Sequence, residues 1–334
     1  MSIGHPSRHF LRVLVLLALA WIAPAYGADP LPSWNEGPSK SSIIRFVERV
    51  STPGGKDFVA PAERIAVFDN DGTLWSEQPL YFQLFFTFDR IRALAAQRPE
   101  LQEKPAVKAL LAGDIKAVMA GGEHGLLELV IAAHAGNSTE EFNKIVSDWV
   151  STARHPKSKR PFTEMVYQPM LEVLTYLRAN GFKTYICSGG DLDFMRAFAE
   201  RVYGIPPEQV IGSVFKYSLG SPTDPLAIMI QAKFDVLNDN EMKPVSIQRA
   251  IGRRPIFTFG NSDGDHAMLR WTAAGSGARF MGLVHHTDAE REVAYDRSSS
   301  IGRLDKALDE ATAKGWTVAD MKRDWMQVFP PEKK

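Results

Sequence analysis

The chain has one cysteine, Cys187, in 334 residues, so no disulfide can form within it. A chain of this length buries enough apolar surface to fold without one, and an oxidising compartment is compatible with it. Charge of either sign is not in excess, with 39 Lys and Arg against 39 Asp and Glu. The basic surplus of a nucleic-acid binder is therefore missing, and the densest basic runs are Lys157–Arg160 and Arg253-Arg254. After Ile22 no apolar stretch approaches the roughly 20 residues of a spanning helix. Internal repeats and low-complexity tracts are absent too. What is left is a globular composition, 45% apolar and 23% charged, which argues against disorder.

The first residues have a different character. Arg8 and Arg12 precede the apolar run Val13–Ile22, which ends in Ala23-Pro24-Ala25-Tyr26-Gly27-Ala28. A positive flank, a short apolar core and small residues beyond it have the form of a secretory signal. The expectation is a signal peptide over residues 1–27, cleaved near Gly27/Ala28. It would deliver a periplasmic or secreted protein with no stable membrane span.

Along the rest of the chain, strand and helix patterns alternate. Apolar spacing predicts a helix over Ser41–Val50, and Arg64–Phe68 is the first clear strand. From Pro79 to about Val150 the periodicity is helical throughout. Its last helix, Glu140–Thr152, follows a capping signal at Asn137-Ser138. Alternation then resumes. It gives a helix Met170–Asn180 closed by Gly181, a strand Lys183–Cys187, a helix Asp191–Tyr203 and a strand Gln209–Val214. Phe215–Ile230 is expected to be a hairpin or loop excursion. A helix Ser246–Gly252, a strand Pro255–Phe259, a helix Asp265–Ala273 and a last strand Arg279–His285 follow, with Asp305–Phe329 as a C-terminal helix and extension. Strands separated in this way imply a parallel sheet with right-handed crossovers.

Polar residues gather where three of those strands end, which is where open parallel sheets bind ligands. Phe68-Asp69-Asn70-Asp71-Gly72-Thr73-Leu74-Trp75 places two carboxylates two residues apart after the first strand. Ser188, with Gly189-Gly190, follows the second, and Asn261, Asp263 and Asp265 follow Pro255–Phe259. Phosphoryl transfer needs an in-line nucleophile, neutralised phosphate oxygens and a proton for the leaving oxygen. Asp69 suits the first role, as a carboxylate able to form an acyl phosphate. Asp71 suits the last, provided that its pKa is raised. Gly72 permits the turn, and Thr73 can donate to phosphate. Ser188 and Gly189 precede a helix N-terminus that favours an anion, and Lys243 supplies a counter-charge just before the next helix. A hard cation with oxygen ligands is implied, most simply Mg²⁺. Its ligands would be Asp69, Asp71 through its carbonyl, and members of the set Asn261, Asp263 and Asp265.

With these residues the chain resembles the haloacid dehalogenase superfamily in its phosphatase branch. Phe68–Thr73 matches the first motif of that family, Cys187–Gly190 the second, Lys243-Pro244 the third and Gly260–Leu269 the acidic fourth. The resemblance spans Arg64 to His285, and a helical insertion between the first two motifs is similar to the phosphoserine-phosphatase-like subgroup. It implies an α/β fold, a Rossmann-like parallel sheet core with a helical cap domain inserted after the first strand. Residues 28–78 and 160–334 would form the core and 79–159 the cap. The implied site has Asp69 and Asp71 as catalytic residues. Thr73, Ser188, Gly189 and Lys243 would bind phosphate, and Asp69, Asp71, Asn261 and Asp265 would hold the metal. Lys216 is a rival for the lysine position. One departure is Asn261, where the family pattern has aspartate, so weaker metal retention or compensation by Asp263 is expected.

Trp75 and Glu77, with Tyr81 nearby, are candidate contacts to the leaving group, as are Arg154 and His155. His285-His286-Thr287-Asp288 has the look of a surface loop. The implied activity is hydrolysis of a small phosphomonoester, phosphoserine- or phosphorylcholine-like. A non-catalytic phosphate- or metal-binding protein on the same fold is the alternative from another class, and dehalogenase or phosphonate hydrolysis the alternatives within the family.

Overall fold

A computed structural model describes residue 1 and residues 29–332. The expected signal segment lies, but for Met1, outside the described residues. The compact unit that begins at Leu31 carries every element below. Among the described residues no helix is long and apolar enough to cross a membrane.

In chain order the elements begin with helix α1 (Pro38–Ser51) and strand β1 (Ile65–Phe68). Five helices follow: α2 (Phe82–Ala95), α3 (Pro105–Leu111), α4 (Ile115–Ala120), α5 (Gly122–His134) and α6 (Thr139–Thr152). Next come α7 (Gln168–Ala179), β2 (Lys183–Asp191), α8 (Leu192–Arg196), α9 (Ala199–Tyr203), β3 (Val210–Leu219) and β4 (Ile228–Val236). The chain closes with α10 (Met242–Ile251), β5 (Phe257–Gly260), α11 (His266–Ala273), β6 (Phe280–His285), α12 (Lys306–Lys314), β7 (Thr317–Asp320) and α13 (Met321–Asp324).

The strands form one sheet in the order β4-β3-β2-β1-β5-β6-β7, parallel except for the antiparallel pair β3–β4. The expected α/β sheet is therefore present, with the helical insertion after its first strand. All four residues of β1 are buried, as a strand covered on both faces requires. Alternation along it divides the core. Ala66 and Phe68 join the large cluster with Phe46, Val47 and Val173, while Ile65 and Val67 pack with Cys187, Ile247 and Met268. Burial pushes the Cys187 thiol up to about 12, which leaves it an inert packing residue.

Several boundaries differ from the sequence expectation, each for a local reason. The chain after Gly190 gives two short helices, α8 and α9, because Phe198 leaves the helical region at φ −136°. The 215–230 excursion is the antiparallel hairpin β3–β4. Strand β6 is not the last, since β7 pairs alongside it from Gly282↔Thr317 to His285↔Asp320. The expected cap on α6 is present as a capping box, in which Ser138 accepts from the Glu141 amide and Glu141 accepts from that of Ser138. The turn before α6 also pairs with the sheet edge. Gly136 donates to the Ile230 carbonyl and Ile230 to that of Asn137, both at 3.0 Å.

Candidate active site

Successive strands β1, β2 and β3 step one way across the sheet, and β5 crosses to the other side of β1. The crevice beyond β1 and β5 is thus the topological switch point. Asp69 begins there, its amide donating to the Phe259 carbonyl at 2.9 Å. The Lys243 ammonium donates to Asp69 Oδ1 at 2.7 Å and to Asp265 Oδ1 at 2.6 Å, with all three residues buried. Asp265 Oδ2 accepts the amides of Asn261 (2.9 Å) and Ser262 (3.1 Å). Both Asp265 oxygens are engaged in this way, so the residue holds the lysine and the loop after β5 in place.

Lys243 does not precede its helix, as expected from Pro244, but lies in the first turn of α10. Proline is tolerated there because the first-turn amides have no intrahelical partner. Burial opposes the lysine charge, but Asp265 and Asp69 outweigh it and hold the pKa well above the ordinary value. Burial and then Asp265 push the Asp69 pKa well up, with Lys243 in partial opposition. A cation beside the carboxylate would reverse that direction.

Asp71 keeps some exposure to the cavity yet is enclosed by protein atoms, and that burial raises its pKa. The Trp75 indole donates to Asp71 Oδ1 at 2.8 Å, and Ser188 Oγ to Oδ2 at 3.4 Å. Trp75 is buried and therefore orients Asp71 instead of meeting a leaving group. Between the two aspartates Gly72 has φ +74°, and a Cβ there would run into Asn261 and Glu77. Glycine is required at this position on both counts.

Ser188 and Gly189 do not end β2, which continues through them to Asp191 with an irregularity in register. The helix that follows has only five residues, and its N-terminus is already capped by Asp191 Oδ1, which accepts the Phe194 amide at 2.8 Å. The expected anion site at a helix start is therefore filled by the protein's own carboxylate. Side chains that the sequence reading missed hold the Ser188-Gly189 backbone instead. Asn238 Nδ2 donates to the Ser188 carbonyl (2.8 Å) and Ser213 Oγ to that of Gly189 (2.8 Å). Thr73 is also redirected: fully buried, it donates to Asn261 Oδ1 at 3.1 Å and does not line the cavity.

Asn261 follows β5 as expected, and Asp263 turns elsewhere. Asp263 Oδ1 accepts the amides of Asp305 (3.0 Å) and Ala307 (2.9 Å) and so caps α12. The nearby carboxylate is that of Glu77, whose Oε1 accepts from Asn261 Nδ2 and from the Tyr295 hydroxyl, each at 2.7 Å. Burial raises the Glu77 pKa well above normal, with Asp71 and Asp69 adding to it. Tyr295 stacks on His286, which donates from Nε2 to the Gly72 carbonyl at 2.8 Å. His286 is buried, so the expected surface loop is instead the backing of the site. His285 stands apart, beside Asp296.

These residues fit a divalent cation. Asp69 and Asp265 share one buried ammonium, and Glu77 and the partly exposed Asp71 have none, so the site must take up protons or hold a cation to ionise fully. Among the described residues no cluster of three or more His, Cys, Asp or Glu side chains is arranged to hold a metal. The set on offer is mixed: the Asp69 carboxylate, the Asp71 carbonyl and the amide oxygen of Asn261, with water. That is hard-oxygen chemistry suited to Mg²⁺.

Asp69, Asp71, Glu77, Ser188, Gly189 and Lys243 line one cavity of about 500 Å³ that opens toward α2, α4 and α5. Tyr81 lines it as well. Arg154 does not; it is exposed and bonds the Lys159 carbonyl. His155 is buried against the Gln78 carbonyl, also away from the cavity. Lys216 is exposed on β3 and does not line the cavity.

No curated protein matches the chain. Among solved structures, it is similar to a conserved protein of unknown function from Anaerococcus prevotii, with TM-score 0.56 and 15% identity, over 86% of this chain and 91% of that one. A protein of unknown function from Bordetella pertussis follows, with TM-score 0.47 and 16% identity, over 78% and 99%. A phosphoserine phosphohydrolase-like protein from Francisella tularensis has TM-score 0.36 and 12% identity, over 75% and 99%. The first of these shares the fold. Residues 66–270, which run from β1 into α11 and include all the strand-end residues above, match the haloacid dehalogenase-like hydrolases, and the chain belongs to that family.

Proposed function

We propose that the protein is a Mg²⁺-dependent phosphomonoesterase that works through an aspartyl phosphate on Asp69. The observation that carries this reading is the pairing of two unlike carboxylates at one cavity floor. Asp69 is held by Lys243, and Asp71 is held by Trp75 with a raised pKa. An Asp69 oxygen attacks phosphorus and the ester P–O bond breaks. Asp71 passes its proton to the departing alkoxide. The Asp71 carboxylate then takes a proton from water, whose oxygen attacks the same phosphorus. Inorganic phosphate leaves and Asp69 is restored. Lys243 neutralises phosphate charge, and Ser188 with Gly189 orients the phosphate oxygens. Mg²⁺, held by Asp69, the Asp71 carbonyl and Asn261, would add positive charge where the transferring group carries negative charge.

Helices α2–α6 act as the cap, with boundaries at 79–159 and the core at 28–78 and 160–334. Export with cleavage near Gly27/Ala28 belongs to the same proposal, and N-terminal sequencing of protein from the outer fractions of cells tests it. The substrate is a small phosphomonoester, phosphoserine- or phosphorylcholine-like in size.

Turnover of p-nitrophenyl phosphate with Mg²⁺, abolished by Asp69→Asn and by EDTA, is the expected result. A wild-type protein inert toward several phosphomonoesters and divalent metals would overturn the reading. It would favour a non-catalytic phosphate-binding role, which the neutral Asn261 suits. Dehalogenation has no use for a held proton, so the burial that raises the Asp71 pKa supports ester cleavage over it.

A further inference from the structure

The cavity floor is polar, but its walls are not. Leu84 on α2, Leu126, Leu127 and Val130 on α5, and Phe234 and Leu237 at the end of the hairpin close over the site. Leu237 is 44% exposed, an apolar side chain held at the cavity in partial contact with water. Among the described residues that line the cavity, Lys243 is the sole cation, and both Asp69 and Asp265 already claim it. The other charged lining residues are acids: Asp69, Asp71, Glu77, Asp191 and Asp239.

From this wall we infer that the alcohol released is apolar and uncharged, an aryl or medium-chain alkyl group. The inference rests on the phosphatase reading and narrows it. A zwitterionic leaving group, as in phosphoserine, would bring a carboxylate that no free cation of the wall meets, and such a charge is costly to desolvate. A trimethylammonium head is recognised by the faces of aromatic rings, and the aromatic lining residues are Tyr81 and Phe234, on different elements. The acids are also largely engaged by the protein itself, with the buried Asp191 Oδ2 the exception. Glu77 holds Asn261 and Tyr295, Asp191 caps α8, and Asp239 accepts from Asn240. The aliphatic and aromatic side chains around a cavity of about 500 Å³ instead match a hydrocarbon body.

The test compares hexyl phosphate, phenyl phosphate, phosphoserine and phosphorylcholine at fixed Mg²⁺ by kcat/KM. Binding of the same four esters to the Asp69→Asn protein is measured in parallel by calorimetry. The two neutral apolar esters are expected to lead both rankings by roughly tenfold or more. Leu126→Arg should narrow or reverse the gap by weakening hexyl phosphate and strengthening phosphoserine. Leu126→Ala, which removes apolar contact without adding charge, should weaken the two apolar esters and leave phosphoserine and phosphorylcholine little changed. Phosphoserine or phosphorylcholine equal to or ahead of the apolar esters in both measurements would overturn the inference while leaving the phosphatase reading intact. If no ester is hydrolysed but hexyl phosphate still binds best, the phosphatase reading falls and the inference about the wall stands. Absence of both turnover and binding overturns the two together.

Discussion

Asn261→Asp puts back the carboxylate that the family pattern has at this position, and the structure gives it an unusual expected cost. Asn261 Nδ2 donates to Glu77 Oε1 at 2.7 Å inside a buried site. Aspartate removes that donor and sets two carboxylates face to face. Loss of a hydrogen bond to a charged group is worth about 1.5–3 kcal/mol. Two ionised carboxylates at about 4 Å would repel by a further ~4 kcal/mol at an effective dielectric constant of about 20. Glu77 avoids most of that by taking a proton, which its raised pKa makes inexpensive. The net destabilisation of metal-free protein is then about 2–4 kcal/mol. In a chain of this size that lowers Tm by on the order of 5–10 °C. Thermal unfolding in EDTA measures it, and titration with Mg²⁺ should recover the loss, since the added carboxylate binds the cation more tightly than the amide does. The double variant Asn261→Asp/Glu77→Gln exchanges donor and acceptor across the same contact, so it should regain much of the stability without metal. Unchanged Tm for Asn261→Asp in EDTA, or additive effects in the double variant, would refute the contact and the reasoning built on it.

Asp71 carries its proton to higher pH than an ordinary aspartate. Turnover of an alkyl phosphate, which needs that proton, should therefore fall on the alkaline side as pH passes through the Asp71 pKa. Asp71→Asn should remove most of that activity while sparing p-nitrophenyl phosphate more, as leaving-group comparisons in a pH series will show. In metal-free protein the raised carboxyls of Asp69 and Glu77 contribute stability that is complete below the unfolded carboxylate pKa and lost as pH rises through their folded values. The Tm gain on adding Mg²⁺ should accordingly grow with pH, and a gain that shrank from pH 5 to 8 would contradict this. His286→Ala removes the donor to Gly72 and the ring under Tyr295, with an expected loss of about 2–4 kcal/mol in denaturant unfolding.

The strand-end chemistry was legible in the sequence because each polar residue follows directly on an apolar strand, and a parallel sheet brings such ends together. Asp69, Asp71 and Asn261 meet for that reason, joined by Ser188 from within β2, Lys243 from the first turn of α10 and Asp265 from the start of α11. The supporting residues were not legible. Tyr295 reaches Glu77 across 218 positions, and His286 reaches Gly72 across 214, from a stretch without helical or strand period. Asp263 stands in the acidic motif, but its partners are the amides that begin α12, some 42 positions on. A one-dimensional pattern distinguishes a cap from a ligand only when both ends of the contact are local. Strand β7 was missed because four residues, Thr317–Asp320 with one buried, carry too little apolar pattern to stand out.

The outer edge of the sheet also limits how the active site exchanges its contents. Ile230 of β4 is tied by two backbone hydrogen bonds to residues 136 and 137, between α5 and α6. Helix α5 therefore cannot lift off the crevice as a free lid; the strand edge must first unzip. At a net cost of about 2 kcal/mol for the pair, the unzipped state is occupied only a few per cent of the time, to within an order of magnitude. Product that leaves by this route would pass through a local melting event on a timescale of about microseconds, so the edge tethers the cap to the sheet without pacing turnover.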